Sequence, residues 1–287
     1  MVPLRLILRR AGGFVAVVVA SSAVFGGLLW AAPGAAGLGE SDGYLAWLGG
    51  FWIGVARGDL GTSYRGLPIA SMVLQGAARS LPVLAGALCV SLGTGLILAL
   101  GLPRGAGRLP RVLRSVLHAA SLIPVFLLGY LALVVFAVPP DGAARALAAV
   151  LILALGDGTL TDVVLGLDAE VEALRERDFV HSARLRGLPL ALRLVPHIAL
   201  PLARLAASKM AFLLGGILVL EMVLGIQGLG LMGYRAATRP DFPLLVAIAV
   251  FSTALVAGAH LAVDLLRIAV DPRARKDRRA ARRGTNA

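Results

Sequence analysis

The stretch RDFVHSARLRGLPLALRLVPHIALP, Arg177 to Pro201, separates two long apolar runs and resembles neither. It holds Arg177, Arg184, Arg186 and Arg193, with Arg175 just ahead, and sets Gly187-Leu188-Pro189 where a helix is otherwise running. Upstream, EVEALRERDFVHSARLR (Glu170–Arg186) consists of good helix formers, acids early and arginines late, the order a helix macrodipole favours. Gly187 suits a helix end and Pro189 suits the first turn of the next helix. The spacing predicts a helix over Glu170–Arg186, a tight turn, and a very short helix over Pro189–Val195 bounded by Pro196 and Pro201. Leu190 and Leu194 would then form an exposed apolar face between arginines. Two uses fit such a segment: a basic helix resting on anionic lipid, or a peg that docks into a cytoplasmic partner.

The rest of the chain says what carries this segment. Of its 287 residues 58% are hydrophobic and 15% charged, with a mean hydropathy of +0.85. Soluble domains carry about 25% charged residues, so the composition is that of a membrane protein. The 35 glycines suit helices that pack closely in lipid. The formal charge of +12 is almost all arginine, Lys209 and Lys276 being the two lysines. Because these charges sit in short segments between apolar spans, they read as topology and lipid signals rather than as a nucleic-acid surface. Cys89 is alone, which excludes a disulfide framework, and His118, His181, His197 and His260 show no metal-ligand spacing.

Six runs approach the roughly 20 residues needed to cross a bilayer: Phe14–Ala31, Leu81–Leu102, Ser115–Val138, Ala146–Leu167, Leu205–Leu224 and Leu244–Ala269. The first is longer than the roughly 7–15 residues of a signal-peptide core and reads as an uncleaved span. With the N-terminus inside, the inner segments hold Arg5, Arg9 and Arg10, then Arg104, Arg108, Arg111 and Arg114, then the opening stretch, then DPRARKDRRAARRG. The outer segments keep Arg57, Arg65, Arg79, Arg145, Arg235 and Arg239. The positive-inside rule thus predicts an all-α, six-span protein with both termini in the cytoplasm. The expected organisation is a single membrane domain over 1–287, with an external loop at 33–78, a cytoplasmic loop at 168–204 and a basic tail at 271–287. Within the first loop, YLAWLGGFWIGVA (Tyr44–Ala56) is too short to span and reads as an interfacial helix with Trp47 and Trp52.

Motifs for chemistry are scarce. GLGLMG (Gly228–Gly233) matches G-x-G-x-x-G, but it follows a membrane span rather than the buried strand that dinucleotide binding requires. There is no G-x-x-x-x-G-K-[ST], so any ATP that drives the protein is bound by another subunit. Asp157 and Asp162 are the candidate pathway residues. A charge at the centre of a membrane helix costs about 2.5–3.5 kcal/mol and normally faces protein or water. Asp157 is either an acidic spot favouring a cationic cargo group, or a helix break at Asp157-Gly158 whose carboxylate is hydrogen-bonded between helices.

Several stretches in order carry a resemblance. Asp178, Phe179, Val180, Ser182, Ala183, Arg184, Gly187 and His197 follow an acidic–aromatic–Val–x–Ser–Ala–Arg–x–x–Gly pattern with a later His. GDLGTSY (Gly58–Tyr64), LLGGILVLEMVLGIQGLG (Leu213–Gly230), RPDFP (Arg239–Pro243) and VDLLRIAVDPRAR (Val263–Arg275) complete the set. Together they resemble the permease subunits of binding-protein-dependent ABC importers, in the dipeptide, oligopeptide and nickel branch. Ala35 and Gln227 stand where that family tends to have an acid and a proline, and Pro201 lies one residue late.

The resemblance implies a non-catalytic subunit of the bacterial inner membrane that forms half of a translocation pathway for peptides or similar solutes. Its partners would be a second permease, two ATP-binding subunits and an external binding protein. Asp178, Phe179, Ala183, Arg184, Arg186, Gly187, Leu190, Leu194 and His197 would form the ATPase-coupling loop. The chain itself would hold no cofactor. The rival readings are an ATP-independent transporter or channel, whose paired repeats are not evident in the sequence, and a structural membrane subunit.

Overall fold

A computed structural model describes residues 4–31, 43–102, 107–137, 142–186, 190–239 and 241–270. Among the described residues eleven α-helices follow one another: α1 (Leu4–Trp30), α2 (Tyr44–Arg57), α3 (Ile69–Gly101), α4 (Arg108–Ser121), α5 (Val125–Val134), α6 (Ala143–Leu155), α7 (Thr159–Arg175), α8 (Asp178–Leu185), α9 (Leu190–Leu224), α10 (Leu229–Thr238) and α11 (Phe242–Val270). Among the described residues there is no strand, only an isolated bridge between Thr62 and Pro68. The all-α expectation holds. Among the described residues five units are long and apolar enough to cross a membrane: Ile7–Trp30, Ile69–Gly101, Ala143–Arg175, His197–Leu224 and Phe242–Ile268. The pair α4–α5 makes a sixth when counted as one span.

That pair sharpens the sequence reading, which took Ser115–Val138 as one run with a kink suggested by Pro124. The chain instead turns through 91° between α4 and α5. Pro124 explains the corner, since proline disfavours a helical residue before it and removes a backbone donor. Pro124 then starts the next helix, its carbonyl accepting from the Leu127 and Leu128 N–H groups. The unit Ala143–Arg175 is also interrupted. Between α6 and α7 lies a tight turn, Gly156–Gly158, with Asp157 at φ 53°, ψ 29°.

The core forms around α3 and α9. In its middle, Leu84 and Ala87 of α3 meet Leu153 of α6 and Leu213 and Leu220 of α9, all nearly inaccessible. At one end Ile69 and Val73 pack with Leu229 of α10 and Leu244 of α11. At the other, Ala99 packs with Val163 and Leu167 of α7, Val180 of α8 and Leu194 of α9. α1 stands apart, packed chiefly on α11, with an open cleft of about 830 Å³ between it, α9 and α11. Arg10 near the start of α1 meets Asp264 near the end of α11 at 2.8 Å, so those two helix ends lie on one side of the bundle. α2 rests on the opposite end of α1, where Trp52 Nε1 donates to Ser22 Oγ at 3.1 Å and the Tyr44 hydroxyl donates to the Ala23 carbonyl.

Arg114, read from sequence as a loop charge, is instead a half-buried member of α4 paired with the buried Asp168. Its Nε donates to Asp168 Oδ2 and its Nη2 to Asp168 Oδ1, each at 3.0 Å, and Nη2 also reaches the Leu98 carbonyl at 3.0 Å. One guanidinium thereby ties α4 to α7 and to the last turns of α3. Removing one member of a buried pair strands the other charge, at a cost of about 3–5 kcal/mol. Asp168→Ala in the full chain is therefore expected to lower the thermal unfolding midpoint in detergent, followed by circular dichroism. An Arg114→Leu, Asp168→Leu double variant is expected to recover most of the loss.

Candidate functional site

The opening stretch is ordered differently from its sequence reading. The single helix expected over Glu170–Arg186 is broken: α7 stops at Arg175 and α8 begins at Asp178. A turn joins them, with Arg177 N–H donating to the Leu174 carbonyl and Val180 N–H to that of Arg177. The expected short helix over Pro189–Val195 is not separate either. From Leu190 the chain is already in α9, a 35-residue helix that carries Pro196 and Pro201 in its N-terminal part. Each proline removes one backbone hydrogen bond without ending the helix. Packing holds this part in place, since Leu194 and Ile198 are each 1% exposed within the cluster of Ala99, Val163 and Leu167.

Leu194 is consequently a core anchor and not part of an exposed face. Val180 anchors α8 in the same cluster. Among the described side chains at its C-terminal end, Leu185 is 77% exposed, with Arg186 exposed beside it. Asp178 is exposed in the first turn of α8, where a carboxylate suits the helix dipole. His197 is exposed on α9. Gly187 lies outside the described residues, as do the side chains of Phe179, Ala183, Arg184 and Leu190, although α8 and α9 include those positions. Sequence reasoning missed Leu185, an apolar residue between Arg184 and Arg186 that an amphipathic reading confined to α8 would have picked out.

Asp157 sits where two broken helices meet. Its Oδ1 accepts from Val125 N–H at 3.0 Å, at the start of α5, and its own N–H donates to the Ile123 carbonyl at 3.3 Å. Each interruption thus satisfies backbone groups that the other leaves bare. The side chain stays exposed, with Oδ2 near Gly216 of α9. Beside the breaks, Thr161 Oγ1 shares hydrogen bonds with Ser121 Oγ and His118 Nδ1. Asp162, a turn further along α7, pairs with Lys209 of α9 at 2.5 Å. The structure therefore places Asp157 and Asp162 on the α7 side facing α9, in two different roles: one caps a helix start, the other bridges two spans.

At the other end of α9 lies a network with no local sequence signal. Glu221 is 1% exposed. Ser80 Oγ of α3 donates to its Oε1 at 2.5 Å, and the N–H groups of Gly230 and Leu231 donate to its Oε2 at 2.7 and 3.2 Å. Ser80 Oγ in turn accepts from Leu229 N–H at 2.8 Å. The free amides of the first turn of α10 are thus all met by one carboxylate and one hydroxyl, the arrangement a helix N-terminus favours. GLGLMG is this first turn. A Cβ on Gly228 would stand 2.1 Å from Glu221 Oε1, and one on Gly230 would stand 2.4 Å from Leu218 Cα. The glycines let α10 sit directly against α9; they cradle no phosphate.

Gly230→Ala forces backbone apart, and overpacking of this kind costs about 1–3 kcal/mol. Glu221→Ala leaves buried amides unmet at about 1–3 kcal/mol each. Both variants are expected to speed hydrogen exchange at Leu229–Leu231 in the full chain, measured in nanodiscs, while exchange in α6 and α7 stays unchanged.

Residues 91–276 match the family described as binding-protein-dependent transport system inner membrane component. A probable peptide ABC transporter permease protein of Sinorhizobium fredii is 27% identical over 244 residues, 77% of either chain. The oligopeptide transport system permease protein AppB of Bacillus subtilis is 24% identical over 261 residues, covering 80% of this chain and 79% of its own. The corresponding OppB of Mycobacterium tuberculosis is 35% identical over 103 residues, 34% of this chain and 32% of its own. The family's match across most of the helical bundle makes this chain a multi-pass inner-membrane permease subunit of the binding-protein-dependent ABC importers.

Proposed function

We propose that the chain forms half of the translocation pathway of a peptide importer, paired with a second, similar permease. Two cytoplasmic ATP-binding subunits bind and hydrolyse the ATP, and an external binding protein delivers the cargo. Both termini, α8 and the start of α9 face the cytoplasm. The end of the bundle that holds α2 and α10 faces outward. The names of the relatives from Sinorhizobium and Bacillus support peptide cargo, and the arginine asymmetry of the loops supports the orientation.

The observation that carries the coupling role is the build of α8. It is held to the core through Val180 while presenting Leu185 and Arg186 outward. A partner that grips this tip differently in its ATP-bound and ATP-free states pulls on the cluster shared with Leu194, and so on α9. Only such a differential contact can shift the balance between conformations. Charge complementarity to an acidic groove of the ATPase would be read by Arg186, and possession of an apolar slot by Leu185.

Two outcomes follow. Leu185→Glu is expected to weaken co-purification with the ATP-binding subunits by about tenfold or more, the effect of desolvating a charge in an apolar contact, without changing the thermal stability of the full chain. Unaltered association would sink the docking role of α8. Asp157→Asn keeps an oxygen for Val125 N–H and removes the charge. In proteoliposomes holding the complete importer it is expected to slow uptake of trilysine relative to trialanine by about fivefold, the worth of one ammonium–carboxylate contact in water at about 1 kcal/mol. Equal slowing of both peptides would assign Asp157 to packing alone.

A further inference from the structure

Arginine is scarce in the outward segments, as topology requires, yet four of the six found there converge on one place. Arg65, Arg79, Arg235 and Arg239 line a single cavity of about 640 Å³ between the 58–68 segment, α3 and α10. That size lies within the range of small-ligand pockets, about 300–1,000 Å³. The positive-inside rule acts against placing arginines on this side, so their concentration calls for a second cause.

The charges are not balanced by acids. Among the described residues, none of the four arginines forms an ion pair. Asp241, the one acid lining the cavity, is 2% exposed and uses Oδ1 to accept from Leu244 N–H at the start of α11. Arg79 is held by one contact, Nη1 to the Gln227 carbonyl at 3.1 Å. Arg65 Nε donates to the Tyr64 hydroxyl at 2.8 Å. That hydrogen bond, with the charge of Arg65 and a further contribution from Arg239, holds the Tyr64 phenol below its ordinary pKa. The phenol is thus held within the field of these arginines, with Arg65 in direct contact.

Unpaired guanidiniums on a concave wall focus a positive field and attract anions. Each also presents a planar fork that matches a carboxylate in two parallel hydrogen bonds. Met72 and Met232 line the same cavity, and methionine side chains adapt to apolar groups of different shape. A carboxylate fixed by arginines, next to a wall tolerant of varied side chains, describes the end of a peptide better than it describes a free inorganic anion.

We propose that this cavity is a carboxylate-binding site at the outer mouth of the pathway, which takes the terminal carboxylate of the cargo as it leaves the binding protein. The proposal rests on the peptide reading and the orientation given above. The cavity borders Gly228 and so the Glu221–Ser80 network that seats α10. Occupation of the site therefore bears directly on the helix that α9 holds in place.

The test is arginine modification by phenylglyoxal on the complete importer in nanodiscs, mapped by peptide mass spectrometry. The probes are trialanine and trialanine C-terminal amide. Trialanine at about ten times its dissociation constant is expected to slow modification of Arg65, Arg79, Arg235 and Arg239 by about tenfold, and the amide is expected to leave it unchanged. Arg235→Gln is expected to abolish the protection of Arg65 and Arg239 while the importer still assembles.

Trialanine uptake by the wild-type importer with no protection of these arginines overturns the site and leaves the peptide reading intact. Protection by the binding protein alone, indifferent to peptide, overturns it in favour of an acidic docking surface. Protection by trialanine without uptake supports the carboxylate site and removes peptides as the transported cargo.

Discussion

A helix that stops inside a membrane must find partners for its bare N–H and C=O groups, because hydrocarbon offers none. This chain breaks twice at nearby points, after Ser121 and after Leu155, and the two breaks answer each other. Asp157 gives Val125 an acceptor through its side chain and gives Ile123 a donor through its backbone. The left-handed conformation of Asp157 is the geometry that aims both groups at the opposite break. The path of the middle of the molecule depends on this exchange, since it fixes where α4 ends, how α5 turns away and how α7 meets α9.

α9 connects the two functional ends. At 1.5 Å per residue its 35 residues span about 50 Å. It starts beside α8 and finishes at Glu221, whose carboxylate seats α10. Along the way it is held to α7 by the Asp162–Lys209 pair and by Leu205, which lies against Gly166. A stiff rod clamped to the core along its length suits a subunit in which an event on one membrane face must be felt on the other.

The spans were legible in the sequence because long apolar runs have one stable use in a chain of this composition. Their interruptions were less so. Pro124 inside an apolar run reads as a kink, and only the meeting with Asp157 shows that it is a corner. Asp157 itself was legible as one of two alternatives, and the carboxylate is hydrogen-bonded across the break as the second of them described. Leu194 was placed on the wrong face because Pro189, Pro196 and Pro201 suggested a short isolated helix, whereas α9, which includes Leu190, runs on through Pro196 and Pro201 and turns Leu194 inward. The Ser80–Glu221–Gly230 network joins residues far apart in the chain, so no periodicity or local spacing could reveal it. Arg114 was counted among topology signals because sequence alone does not show that Asp168 lies across from it.

The pairing of α1 with α11 has a consequence for how the protein is made. Among the described helices these two stand first and last in chain order, and Arg10 and Asp264 join their ends. α1 enters the bilayer long before its main neighbour exists. At 5–20 residues per second, synthesis of the intervening chain takes on the order of 10–50 s. For that interval α1 has α2 against one end, while the surface that α11 later covers is left to lipid. α11 therefore closes the bundle late, and without it α1 would lose its main packing partner and the cluster around Ile69 and Val73 would lose Leu244 and Ala247.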